Sequence, residues 1–110
     1  VAQNFLIMPQ NKRFLFSFSN QETSRYAQAL CHPARLQIIE LLQQHEFLIH
    51  KELTEKLPLA SSTISQHLQF LAHARIVIRD EFAGVVGYRL NRIGWQDAKH
   101  CIAAYFSRVG

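Results

Sequence analysis

The chain has 110 residues, 48% of them hydrophobic, and a formal net charge of +4, which suits one compact domain with a real core and excludes a disordered polyelectrolyte. A pI near 9.4 favours polyanionic partners without naming one. Cys31 and Cys101 make neither a disulfide framework nor a zinc ribbon and fit a reducing cytoplasm, no apolar run reaches the roughly 18–20 residues of a membrane span, and Phe5–Met8 is too short for a signal-peptide core.

Residues 1–18 stand apart, because Phe5–Met8 and Phe14–Phe18 are apolar without helical phase. They read as either a strand or an arm packing on a partner subunit, and the domain proper is expected over 19–110. Ser19-Asn20-Gln21-Glu22 has the spacing of a capping box, which predicts a helix over 20–30. Pro33 disfavours helical geometry at His32 and suits the first turn of a new helix. That second helix, 34–44, places Ile38, Leu41, Leu42 and His45 on one face. A short third helix is predicted over 50–57, ended by Pro58. A fourth runs over 61–73, with Ile64, Leu68 and Leu71 spaced for burial. Next, Ile76–Arg79, Glu81–Gly84 and Val85–Leu90 read as strand, turn and strand. Asn91 can cap a last helix over 92–108, where Trp95, Ala98, Ile102, Tyr105 and Phe106 follow the helical period.

Two short helices joined by Pro58-Leu59-Ala60 form a helix-turn-helix candidate. With Ile64, Leu68 and Leu71 inward, a helical wheel turns Ser62, Gln66, Gln69 and His73 outward and leaves Thr63 and Ser65 on the flanks. That face carries no acid to repel phosphate. Gln can pair bidentately with adenine in a major groove, and a helix N-terminus offers N–H groups to phosphate. The bland alternative is a solvated surface helix; the preceding helix and the following hairpin weigh against it. The hairpin itself reads as a wing. Arg75, Arg79, Arg89 and Arg92 cluster around it and can neutralise phosphates, partly offset by Asp80 and Glu81. A solvated charged hairpin is the alternative there.

Three segments together resemble one family. Ala29-Leu30-Cys31-His32-Pro33-Ala34-Arg35-Leu36 resembles the "ALAHPxRL" signature of the ArsR family, Ser62-Thr63-Ile64-Ser65-Gln66-His67-Leu68 its "STVSxHL" recognition helix, and Tyr88-Arg89-Leu90 the "YRL" that closes its wing. The resemblance spans about residues 20–108. It implies a mainly α, five-helix winged helix-turn-helix with a small β-hairpin, dimeric through its first and last helices. Carried over, the DNA contacts are Ser61, Ser62, Thr63, Ser65, Gln66 and Gln69, with Arg79 and Arg89 on the wing. Four departures stand out. Pro58 replaces a frequent Gly, and Ala60 a frequent Ser cap, a role Ser61 is expected to take. Arg75 replaces a Gly after the recognition helix, and Val85-Val86 replace a basic wing tip.

Metal sensing is common among proteins of this kind, but the ligands do not line up. Where the arsenic-type site has Cys-x-Cys, this chain has Ile49 and Lys51, which cannot replace thiolates. Asp97 and His100 share a face of the last helix with no second histidine downstream. No metal or cofactor is therefore expected. Cys31 and Cys101 are expected to be small buried thiols, with a redox switch as the alternative; Arg35 is the nearest activating cation to Cys31. No Gly-rich phosphate loop or base-paired nucleophile suggests an enzyme. The expectation is a cytoplasmic, sequence-specific DNA-binding regulator, a repressor acting as a homodimer on a pseudo-palindromic operator. The alternative is a winged-helix protein-interaction or dimerisation module, favoured by the apolar first 18 residues and the uncharged wing tip.

Overall fold

The computed structural model describes Lys12 and residues 15–110. Most of the expected N-terminal arm lies outside the described residues. The elements are α1 (Phe18–Ala29), α2 (Pro33–Gln44), α3 (His50–Lys56), α4 (Ser61–His73), β1 (Val77–Phe82), β2 (Val85–Leu90) and α5 (Arg92–Val109). This is a winged helix-turn-helix.

Helix α1 begins earlier than the capping-box spacing predicts. Ser17, not Ser19, is the cap, its side chain accepting the Asn20 N–H at 3.1 Å. Glu22, the expected reciprocal partner, instead accepts from the Arg25 guanidinium at 2.6 Å. With Ser17 as the cap, the third helical position is Asn20, so Glu22 lies too far along the helix to serve as the reciprocal partner. At α2, His32 is the cap and its Nδ1 accepts the Ala34 N–H at 3.0 Å, with Pro33 in the first turn. Ile38 and Leu42 are fully buried, while Leu41 and His45 lie at the margin. Ile39, absent from the predicted face, is buried too.

Helix α4 has the predicted bounds, but Ala60 occupies the cap position and makes no side-chain cap bond. Ser61 is the first helical residue rather than a shifted cap. The helix closes on Arg75, whose φ is 64°. The Arg75 N–H donates to the Ala72 carbonyl and the Ile76 N–H to the Leu71 carbonyl, both at 3.0 Å. These two bonds are the Schellman pattern, in which a left-handed residue satisfies the last carbonyls. Arg75 therefore fills a position that glycine fills at less steric cost.

The hairpin turn is tighter than the predicted Glu81–Gly84. Glu81 and Phe82 are already paired, opposite Val86 and Val85, and only Ala83 and Gly84 turn, with φ of 54° and 79°. Two positive φ values give the turn whose twist matches that of the strands. The loop before α3 supplies a third edge: Leu48 and Tyr88 exchange N–H···O bonds of 3.0 and 2.9 Å. The Phe47 ring crosses Gly87, where a Cβ would lie 2.5 Å from it.

The core gathers Ile38 and Leu42 from α2, Leu53 from α3, Ile64, Leu68 and Leu71 from α4, and Ile76 and Val77 at the wing base. Helix α5 is set against this unit by backbone. Asn91 Oδ1 accepts the Gly94 N–H at 3.2 Å while its Nδ2 donates to the Arg75 carbonyl at 2.9 Å. Gly94 lies so close to that carbonyl that a Cβ there would clash directly. Two substitutions separate these constraints. Arg75→Gly should stabilise the fold by about 1 kcal/mol, because it removes left-handed strain. Gly94→Ala should destabilise it by about 2 kcal/mol, because helix and turn must separate. Urea unfolding of both variants checks the opposite signs.

Candidate nucleic-acid interface

Helix α4 presents a sharply divided surface. Ile64, Leu68 and Leu71 point into the core, whereas Ser61, Ser62, Gln66, Gln69 and His73 are exposed and Thr63 and Ser65 half-buried. The predicted contact residues of this helix therefore fall on one accessible side, with no acidic residue in its first turn. The absence of a side-chain cap leaves the first N–H groups available to an anion, where the helix dipole is most positive. Ser65 is partly engaged: its Oγ lies 3.0 Å from His50 Nε2, tying α4 to the first turn of α3.

Beneath this face is a polar support that residue spacing did not reveal. His67 is only 8% exposed. Its Nδ1 accepts from Arg35 Nε at 3.2 Å, so the neutral ring carries its proton on Nε2. Arg35 Nη1 also donates to the Gln28 carbonyl at 2.8 Å, and its guanidinium stacks 3.8 Å above the Phe70 ring. The His32 ring lies 4.5 Å from that of His67, centroid to centroid. One arginine thus joins the end of α1, the start of α2 and the underside of α4. His67 is packed on the underside of α4 through a hydrogen-bonded network rather than apolar contact alone.

The wing is electrically balanced. Arg89 Nε donates to Asp80 Oδ2 at 2.8 Å, and this bond, helped by the Glu81 N–H, pulls the Asp80 carboxyl below its usual range. Arg79 is exposed and, among the described residues, has no ion-pair partner. At the tip, Phe82 is 70% exposed and Val85 and Val86 accompany it. Arg75 is exposed behind α4, whereas Arg92 lines a groove between α2 and α5 rather than the wing.

The remaining candidates stay apart from this face. Both cysteines are free thiols, but Cys31 is exposed, against the expectation of two buried thiols. It lies in the break between α1 and α2, outside either helix's inward stripe. Cys101 is half-buried against the core. Asp97 and His100 are both exposed on α5. Among the described residues, no three His, Cys, Asp or Glu side chains gather where they could hold a metal ion.

The environment of His67 gives the network a pH dependence. Burial lowers its pKa below the ordinary 6.5, with further lowering from His32 and Arg35. The unfolded chain therefore takes up this proton more readily than the folded one, and stability falls as pH drops below about 6.5. His67→Gln, which keeps an acceptor for Arg35 but cannot be protonated, should flatten part of that fall. Urea midpoints at pH 7.5 and 5.5 for both proteins measure it; equal losses would contradict the assignment.

Residues 32–79 match the family model for bacterial regulatory proteins of the arsR family. Among solved structures, the chain resembles HlyU from Vibrio cholerae N16961, at 27% identity over 82% of this chain and 94% of that one, with a TM-score of 0.64. It also resembles an ArsR-like transcriptional regulator from Rhodococcus sp. RHA1, at 20% identity over 84% and 89%, with a TM-score of 0.71. For Rv0081 of M. tuberculosis the identity is 25% over 86% and 100%, with a TM-score of 0.61. No curated protein matches by sequence at a significant level.

Proposed function

We propose that this chain, whose residues 32–79 match the model for bacterial regulatory proteins of the arsR family, is an ArsR-family regulator that binds duplex DNA sequence-specifically as a homodimer and represses transcription. The observation that carries this reading is the outward side of α4. Ser61, Ser62, Gln66 and Gln69 are exposed there on a helix fixed from beneath by apolar and Arg35–His67 contacts. A helix so held can enter a major groove with its N-terminal residues at the base edges. Gln66 and Gln69 suit adenine, the Ser61 and Ser62 hydroxyls and N–H groups suit phosphate, and Thr63 and Ser65 support them from the flanks. Arg79 and Arg89 add wing contacts to the backbone. A two-fold dimer would place two such helices about one DNA turn apart and select a pseudo-palindromic operator. No helix of the described residues is long and apolar enough to cross a membrane.

The dimer surface in this reading is the apolar flank where α1 begins and α5 ends. Phe18 is 76% and Phe106 70% exposed, with Leu15, Phe16 and Val109 beside them. Arg108 donates to Ser19 Oγ at 3.3 Å and Asn20 Oδ1 at 3.1 Å, holding the two helix ends together. Apolar exposure on this scale is typical of an association surface. The protein-interaction alternative draws on the apolar first 18 residues and the uncharged wing tip, and fails if the chain shifts duplex DNA in a salt-dependent way.

Selection of genomic fragments, followed by titration against salt, tests the reading; no binding to a genomic library at low salt would defeat it. Gln66→Ala should relax base preference at one position per half-site, at a cost of about 1–3 kcal/mol for the preferred base. Arg79→Ala should weaken all sequences alike and reduce the salt slope by about one per subunit. Arg89→Ala should act in the same direction but less, because Asp80 already neutralises that charge. For the dimer, Phe106→Glu should give a monomer in sedimentation and lose operator affinity while leaving the fold's circular dichroism intact.

A further inference from the structure

An open groove of about 570 Å³ runs between α2 and α5, separate from the exposed side of α4. Its size falls within the range of small-molecule sites. On the α5 side, Arg92, Trp95 and Lys99 line it, and their spacing of three and four residues places them along one helix face. On the α2 side are Ile39, Glu40 and Gln43. Ile39 is buried and Trp95 half-buried against the core, so the groove has an apolar part, and Gln44 and Gln96 complete its lining. Arg92 and Lys99 stand about two turns, or roughly 10 Å, apart along α5, with Trp95 between them in the sequence. Both are exposed, and neither forms an ion pair among the described residues.

This arrangement is asymmetric in charge. The α5 edge carries two cations and the α2 edge one carboxylate, a net charge of +1 beside an indole. A cationic ligand would meet two like charges. A large polyanion would meet Glu40 on the opposite wall. The chemistry that matches the charged and apolar groups is a planar apolar body with one acid group and one hydrogen-bond donor, while Gln43, Gln44 and Gln96 can bond to either polar end. Arg and Lys hold carboxylates by charge-assisted bonds, indole faces stack on aromatic rings, and an ionised Glu can only accept.

We propose that the α2–α5 groove is a binding site for a small aromatic carboxylate bearing a hydroxyl group. The ring lies on Trp95 and Ile39, the carboxylate is held at the Arg92–Lys99 edge, and the hydroxyl donates to Glu40. Binding at this groove does not depend on DNA binding and is tested without DNA.

Trp95 is the one tryptophan of the chain, so its fluorescence reports the groove directly. Three probes share a ring and differ at one end: 4-hydroxyphenylacetate, its alcohol counterpart tyrosol, and the amine tyramine. With the full chain, calorimetry and fluorescence excited at the red edge should show the acid binding at least about tenfold tighter than the alcohol, with the amine weakest. Arg92→Gln/Lys99→Gln should lose about tenfold or more in affinity for the acid at an unchanged unfolding midpoint, since both side chains are exposed. Tyramine binding as tightly as the acid would overturn the proposal. So would a double variant that keeps wild-type affinity, or an acid that leaves the Trp95 signal unchanged and binds more weakly than about 5 mM.

Discussion

Four parts of the molecule meet at the backbone of residues 74–76. Arg25 of α1 donates to the Ala74 carbonyl at 3.0 Å. The left-handed Arg75 closes α4, and its carbonyl receives the Asn91 side chain that caps α5. The Ile76 carbonyl accepts the Asn91 N–H at 2.8 Å, fixing the base of the hairpin. The direction of α4 relative to the wing and to α5 is thus set by one turn of three residues, whose carbonyls are all hydrogen-bonded. Buried backbone groups must find partners, and here the partners come from elements distant in sequence. A change in this turn would move α4 and the flank of α1 and α5 together. In the proposed function, that makes it the mechanical link between the side of α4 offered to DNA and an association surface at the helix ends.

The second constraint lies under α4. A surface helix of thirteen residues gains most of its order from tertiary contacts rather than intrinsic propensity, and the outward side of this one is rich in Ser, Thr and Gln, which contribute little. The inward side therefore has to fix its position. Ile64, Leu68 and Leu71 supply burial, while His67 adds direction through Arg35, which apolar packing does not specify. His50 and Ser65 do the same at the other margin. Both polar links join α4 to other helices of the same unit, so the helix-turn-helix can act as a rigid body.

How much of this could be read from the sequence follows from which forces are local. The bounds of α4 were legible because a proline, a run of small polar residues and a strict apolar period all agree. The end of α3 was legible for the same reason at Pro58. The start of α1 was not, because Ser17 and Ser19 both precede plausible first turns and only Ser19 has a glutamate three residues on, while Ser17 is the residue that caps. The turn at Ala83-Gly84 was misplaced because an alanine gives no sign of positive φ. The third edge at Leu48 had no signal, since a single bridge needs no strand-length pattern. The family resemblance rested on residues that turned out to have structural work: His32 caps α2, Arg35 binds His67, and Tyr88 pairs with Leu48. The outward residues of α4 were legible from the helical wheel. The balance of charge on the wing was not, because Arg89 and Asp80 are nine residues apart in sequence and meet only across the hairpin.

That last point bears on how the net charge should be understood. The basic pI suggested a polyanionic partner, yet many of the cations are committed within the fold. Arg25 is paired with Glu22, Arg35 is held under α4, Arg89 is paired with Asp80, and Arg108 joins two helix ends. Arg92 and Lys99 line the α2–α5 groove. The exposed cations left near the helix-turn-helix are Lys51 and Lys56 on α3, Arg75 behind α4 and Arg79 on the wing. Lys51 and Lys56 lie on the helix that in such motifs crosses the DNA backbone. In the proposed function, long-range attraction to DNA would then be carried by a small set of side chains together with the N-terminus of α4, which has no side-chain cap. Such a surface depends more on the fit of α4 to base edges than on bulk charge, because each phosphate contact contributes separately to salt-sensitive affinity while base contacts set preference. In the proposed function, sequence selectivity would therefore rest on the rigidity of one helix, and so on the Arg35–His67 bond and the turn at Arg75 that hold it.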